Sequence, residues 1–188
     1  MELRQIMAPQ QVKLYVAHLP VPAEGPTVGT AADIVNAAKW LALGQPLSAI
    51  AYAGTLATIA MGEERIGRTL SEARPGTAWT TPITAPLAAL NRLGARRIAL
   101  LSPCSLASHR ILAAYIRGRG IEITEDACLD VGEDGSTAVL SKAVLRSRLL
   151  DLHGAEAQAI LICGTSLRAA AIIEKLEAGT GLPVAAAG

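Results

Sequence analysis

Phenylalanine is absent from this 188-residue sequence, and aromatic residues make up only 3% of it. The core must therefore be aliphatic, and stacking on nucleic-acid bases is not the expected mode of binding. No charge sign dominates either. Seventeen basic and sixteen acidic residues leave a net charge of +1, with no dense basic run to attract nucleic acid or an anionic membrane. No apolar run reaches membrane-spanning length, and Arg4 and Lys13 flank no signal-peptide core. The expectation is a cytoplasmic protein with no membrane and no nucleic-acid partner. Cysteine is scarce: Cys104, Cys128 and Cys163 form an odd, widely spaced set without CxxC or Cys/His zinc spacing. They fit free thiols in a reducing compartment better than a disulfide framework.

Aliphatic residues are plentiful: 51% of the chain is hydrophobic. Apolar runs predict strands at 12–20, 47–53, 96–103, 159–163 and 182–187, an extended segment over 79–82, and within 121–131 a strand followed by a looser polar loop. Between them lie helical patterns. Thr30 is placed to cap a helix over 31–43 that ends at Gly44. Another runs over 62–73. Thr84 begins a helix with Pro86 in its first turn and Gly94 near its end. Ser105 or Ser108 caps one that runs to Arg119 and is closed by Gly120, and Ser136 caps one over 137–153. Thr165 or Ser166 starts the last, which reaches Ala178. Strands alternate with helices, and the strand runs are apolar on both faces. That pattern predicts the α/β class, a parallel sheet covered by helices.

Two stretches share one design. AIAYAGTLA begins at Ala49 and AILICGTSL at Ala159. Ala49 and Ala159, Ile50 and Ile160, Gly54 and Gly164, and Thr55 and Thr165 are separated by the same offset. Each is an apolar strand that stops at Gly-Thr. Glycine lets a ligand approach the backbone, and a hydroxyl adds a donor. A following helix would favour an anion at its N-terminus. Ligands of open α/β sheets bind at the carboxyl ends of strands. The expectation is two similar halves, 1–83 and 84–188, with a small carboxylate held between the two junctions. Some of the last residues of the second half are expected to pack on the first.

The order and spacing of AIAYAGTLA, ITAPLAALNRLGARRIALLSP and AILICGTSLRAAAIIEKLEAGTGLPV resemble the aspartate/glutamate racemase superfamily. The resemblance is to its branch of maleate cis-trans isomerases and arylmalonate decarboxylases, and it covers nearly the whole chain. It implies two pseudo-symmetric parallel-sheet halves with helices on both faces and the site between them. Racemases and isomerases of this kind offer one cysteine at the strand exit of each half. Arylmalonate decarboxylases keep only the second, as proton donor to an enediolate, and have Gly-Thr at the first. No metal or organic cofactor is implied.

Gly54 followed by Thr55 matches the decarboxylase branch. The second cysteine position falls on Gly164, and Cys163 stands one residue earlier, which on a strand turns its side chain to the other face. Cys163 is then a buried small hydrophobe, a pocket-lining group, or a proton donor if a bulge rotates the strand exit. Gly164→Cys is expected to return a donor to register. Cys104 stands where the family has tyrosine, and His109 where it has asparagine. These two could form a Cys-His pair or be substitutions under relaxed constraint. Cys128, in an acidic stretch, is assigned no role.

The resemblance thus makes Cys163 the candidate proton donor. Gly54, Thr55, Cys104, Gly164, Thr165 and Ser166 are candidate substrate-binding residues, and His109 is a further candidate. The function implied is cofactor-free decarboxylase or isomerase chemistry on a small carboxylate or dicarboxylate through an enediolate. The alternative is an inactive member that binds a metabolite or serves an assembly. Against the family pattern, Met1 falls just after the usual first strand, and the chain stops at Gly188 before the usual C-terminal helix. A half without its first strand is expected to self-associate and bury the exposed edge.

Overall fold

The computed structural model describes residues 12–19, 29–130, 156–165, 167 and 169–187, with Met7, Pro9, Ser147 and Leu152. The helix predicted over 137–153 lies almost wholly outside the described residues. The chain divides into two compact units, 1–81 and 82–188.

In the first unit, Thr30 opens helix α1 (Ala31–Trp40) with a reciprocal cap. Its hydroxyl accepts from the Asp33 N–H at 3.2 Å, and its own N–H donates to the Asp33 carboxylate at 2.8 Å. Strand β1 (Ala49–Ala51) pairs in parallel with β2 (Ala78–Thr80). Between them run helices α2 (Thr55–Met61) and α3 (Glu63–Ala73). Ile34, Ala38, Ile50, Tyr52, Ile66 and Leu70 form the core. Arg74 ties the end of α1 to this core by donating from Nε to the Ala38 carbonyl at 2.8 Å and from Nη2 to that of Leu41.

Two expectations for this unit are corrected. Residues 47–53 are not a strand buried on both faces: only 49–51 is strand, and Ala49 and Ala51 are exposed while Ile50 is buried. One side of the two-stranded sheet carries the core, so burial follows a period of two. The β-rich run at 12–20 forms no strand over 12–19. Val12, Tyr15 and Val16 are exposed there, and without a neighbouring strand to accept its hydrogen bonds β-propensity alone does not make one.

The second unit begins with α4 (Thr84–Arg92) and carries a four-stranded sheet. Its strands are β3 (Arg97–Ser102), β4 (Glu122–Cys128), β5 (Ala159–Cys163) and β6 (Val184–Ala187). The order is β4-β3-β5-β6, and every pairing is parallel. Helix α5 (Leu106–Arg117) packs on β4, and α4 packs on β6. All five residues of β5 are buried, as are five of the six in β3. Central parallel strands read as continuous apolar runs for this reason, and the protein is an α/β fold.

Alternation divides the two central strands between faces. Ala99, Leu101, Ile160 and Ile162 pack into one core with Leu167, Ile172 and Leu176. Ile98, Leu100 and Ser102, with Ala159, Leu161 and Cys163, therefore face the other way. The exit from β5 also differs from expectation. Thr165, Leu167 and Ala169 are not helical; a 3₁₀ turn spans Ala170–Ile172 and helix α6 only Ile173–Thr180. The Leu167 N–H closes a turn onto the Gly164 carbonyl at 3.0 Å. Leu167 and Ala169 are then buried in the core, and that inward dip delays the helix.

Candidate functional site

Parallel strands bring their carboxyl ends to one edge of the sheet, and in the second unit those ends carry hydroxyl and thiol side chains. β3 ends at Ser102, followed by Pro103 and Cys104; β4 ends at Cys128; β5 ends at Cys163. Cysteines far apart in sequence are thus gathered at one rim. Ser105 then caps α5, its hydroxyl accepting from the Ser108 N–H at 3.4 Å. That start places His109 in the first turns of α5, 2% exposed and facing the sheet.

A continuous chain of hydrogen bonds links four side chains. Cys104 Sγ and Ser102 Oγ are 3.0 Å apart. Ser102 Oγ and His109 Nδ1 are 2.7 Å apart. His109 Nε2 and Asp126 Oδ2 are 2.6 Å apart. Ser102 is fully buried, Cys104 is half-buried, and the Asp126 side chain is 42% exposed. The Cys128 thiol donates to the Cys104 carbonyl at 2.9 Å and holds the loop against β4.

A β-bulge makes this chain possible. Ile98 pairs with Ile123, but Ala99 pairs with Glu125, so β4 gains one residue at Thr124. From there Asp126 pairs with Leu100 and Cys128 with Ser102. Paired residues in a parallel sheet share a face, and a one-residue slip exchanges the faces. The bulge therefore turns Asp126 toward His109 and Cys128 toward the β3 exit. Strict alternation would have presented Glu125 and Ala127 instead.

Cys163 is 2% exposed. Burial pushes its thiol up to about 12, with the charge of nearby Cys104 adding to the shift. It is a protonated, enclosed group, which matches the buried-hydrophobe reading. Gly164 is beside it, and an ideal Cβ built there would meet Pro103 Cδ and Cγ at 2.6 Å. The expectation that Gly164→Cys simply returns a donor to register is therefore corrected: the proline before Cys104 fills that space. Thr165 is exposed in the turn that follows. Ser166 lies outside the described residues.

In the first unit, Gly54 caps α2 and Thr55 is its first residue. Gly54 has an ordinary extended backbone, with φ of −142°. Its missing side chain answers to space: a Cβ would lie 3.0 Å from Tyr52 Cε1 and 3.2 Å from Ala57 Cβ. The Gly54 carbonyl accepts from both the N–H and the hydroxyl of Thr58. This junction leads straight into a helix, whereas the one at Gly164 does not.

The structure thus joins Cys104 to His109, two candidates from the sequence, and adds Ser102 and Asp126, which sequence reading did not single out. The available signal was the spacing of Cys104 and His109 across the start of a helix; the bulge that recruits Asp126 has no comparable mark. Among the described residues, no cluster of three or more His, Cys, Asp or Glu is suited to a metal ion, and no helix is long and apolar enough to cross a membrane.

A family described as arylmalonate decarboxylase matches residues 28–188. Similar solved structures include the maleate isomerase of Pseudomonas putida S16, with a TM-score of 0.75 at 22% identity. That match covers 83% of this chain and 66% of the isomerase, just under two thirds of its length. An unliganded arylmalonate decarboxylase gives 0.72 at 24% identity, covering 84% of this chain and 70% of that one. A Nocardia farcinica maleate cis-trans isomerase variant with a covalently bound succinylcysteine intermediate gives 0.76 at 20% identity, covering 90% and 71%. No curated protein matches the chain.

Proposed function

We infer a function from the premise that this chain belongs to the arylmalonate decarboxylase family: it binds a small carboxylate or dicarboxylate and protonates an enediolate formed from it. The observation that carries this reading is the meeting of a half-buried thiol, a hydroxyl and an imidazole at the carboxyl ends of parallel strands. That rim is where open α/β sheets take their ligands. On a substituted malonate, the bond to one carboxyl group breaks and carbon dioxide leaves. The electron pair remains as an enediolate, and a thiol proton then forms the new C–H bond. General acid catalysis of this kind is worth about 10²–10⁴-fold. Thiol and hydroxyl groups suffice for these steps, so no cofactor is assigned. Thr165, exposed beside Gly164, is assigned a contact with the retained carboxylate.

A second reading has its own support. Gly54 and Gly164 supply no side chains, and the Cys163 thiol is enclosed. A member that binds a carboxylate without turning it over fits those features. One pair of measurements separates the two. Carbon dioxide release from arylmalonates, together with fumarate formation from maleate, reports turnover, and calorimetric titration with the same acids reports binding. Turnover supports the first reading. Binding alone selects the second, and neither binding nor turnover would defeat both.

A further inference from the structure

We propose that Cys104 is the proton donor of this site and that Ser102, His109 and Asp126 form a relay returning a proton from solvent to its sulfur. The proposal rests on the enediolate reading above, and it names the acid and its supply line.

The direction of the chain follows from what each group can donate. An ionised carboxylate only accepts, so His109 Nε2–H donates to Asp126. In the neutral imidazole Nδ1 is then an acceptor, and it takes the Ser102 O–H. The Ser102 oxygen is left to accept from the Cys104 thiol. Every proton points inward from sulfur toward the carboxylate. If the thiol proton moves to Ser102 as the Ser102 proton moves to Nδ1, the result is a thiolate and an imidazolium. All three contacts survive that double shift without movement of a heavy atom.

The ends of the chain are also distinct. Cys104 is half-buried at the rim, the two middle groups are at most 2% exposed, and the Asp126 side chain reaches solvent at 42% exposure. Buried polar groups in an unbroken path between two accessible ends are arranged for transfer, since water cannot reach the middle to compete. When Cys104 gives its proton to the α-carbon, the S–H bond breaks and a thiolate remains. Solvent then protonates Asp126 and His109 exchanges to its Nδ1–H tautomer. Ser102 passes its hydroxyl proton to sulfur and takes the Nδ1 proton, and Nε2 takes the Asp126 proton, which restores the starting arrangement. One proton enters and one leaves to product, and no oxidant or reductant is needed.

Cys163 is the competing donor, and its surroundings count against it. Its thiol is enclosed and held protonated, up to about 12. Cys104 is instead tied into the chain: its thiol donates to Ser102 in the arrangement above, and its carbonyl accepts from the Cys128 thiol.

The test uses the full chain and two readouts. The first is alkylation of each cysteine by iodoacetamide at neutral pH, followed by peptide mass spectrometry. The relay exposes Cys104 as thiolate, the reactive form. Its rate is expected to fall at least tenfold in Ser102→Ala and in Asp126→Asn, with that of Cys128 unchanged. Asp126→Asn alters a part-exposed side chain, so it keeps the test open if Ser102→Ala folds poorly. The second readout is turnover of an arylmalonate. Cys104→Ala is expected to lose at least 10²-fold. Asp126→Asn is expected to keep a first-turnover burst and slow the later turnovers, a split that a structural role would not produce. Unchanged Cys104 alkylation in both relay variants overturns the relay, whether or not turnover is found. Turnover that survives Cys104→Ala overturns the donor assignment. Altered alkylation with no turnover upholds the relay and removes only the enediolate reading.

Discussion

Gly164 lies against Pro103 so closely that a β-carbon at 164 would fall 2.6 Å from two atoms of the proline ring. Real β-carbons do not approach carbon atoms to that distance, so either the Pro103 ring or the backbone at 164 must shift to admit a side chain. Gly164→Ala and Gly164→Cys are both expected to lose about 1–3 kcal/mol of stability, the usual cost of overpacking. Neither should raise activity by itself. Pro103→Ala removes the two ring atoms concerned, so the double variant with Gly164→Cys should recover much of the loss. Urea melts of the four proteins form a cycle that measures the coupling. Additive losses would show that the contact does not decide why position 164 is glycine.

Cys163 yields a prediction about pH. Its folded value is raised to about 12 from an ordinary 9.0, chiefly by burial. The unfolded chain then releases the proton first as pH rises. The stability contributed by the protonated thiol is complete below pH 9 and is lost progressively toward the folded value. Between those limits wild-type stability should fall more steeply than that of Cys163→Ala, by a slope of about 1.4 kcal/mol per pH unit. Denaturant melts of both proteins from pH 8 to 10.5 check the difference, because other titrating groups are common to the pair. Parallel curves would mean that the thiol is solvated after all.

The parallel strands of the second unit were legible in sequence because β3 and β5 are central and apolar on both faces, and their boundaries fall close to expectation. The helix starts at Thr84 and after Ser105 and Thr30 were legible because each is marked by capping chemistry or an early proline. The site was legible only in pieces. Cys104 and His109 stood out as residue types, but Ser102 looked like the ordinary end of a strand. Asp126 was hidden by the bulge at Thr124, since alternation read from Ile121 and Ile123 turns it to the wrong face. The likeness of GTLA and GTSL also misled. Ala57 and Leu167 share the repeat's offset but differ: Ala57 is half-buried on α2, whereas the burial of the larger Leu167 bends the chain away from an immediate helix. Identical junction residues do not impose identical continuations when the core claims a side chain one turn later.

Gly67 on α3 is pressed against the indole of Trp79 on β2. A Cβ there would lie 2.2 Å from Cζ2 and 2.5 Å from Cε2. Gly67→Ala should raise helix propensity by up to about 1 kcal/mol relative to glycine, yet the clash acts through a rigid ring and a backbone in register. The net expectation is a destabilised first unit, by about 1–3 kcal/mol. Tryptophan emission offers a direct check, since Trp40 is 71% exposed and reports little change on unfolding. A stabilised variant with unaltered emission would mean that the ring moves aside at no cost.

Racemisation of aspartate or glutamate is expected to be absent. A two-base racemase removes a proton from one face of the α-carbon and supplies another to the opposite face. Gly54 and Gly164 have no side chains, and Cys163 is enclosed at 2% exposure with its thiol held protonated. In the proposed relay Cys104 is the single acid, at one rim. The chemistry left to such a site is protonation from a single face, which fixes the configuration of the product. In deuterium oxide, decarboxylation of a prochiral arylmalonate should therefore give one enantiomer carrying one deuterium at the α-carbon. Chiral chromatography with mass detection reads both properties at once. A racemic product from the intact chain, formed faster than in buffer alone, or inversion of L-aspartate or L-glutamate, would require a second proton-transfer group and sink the one-thiol account.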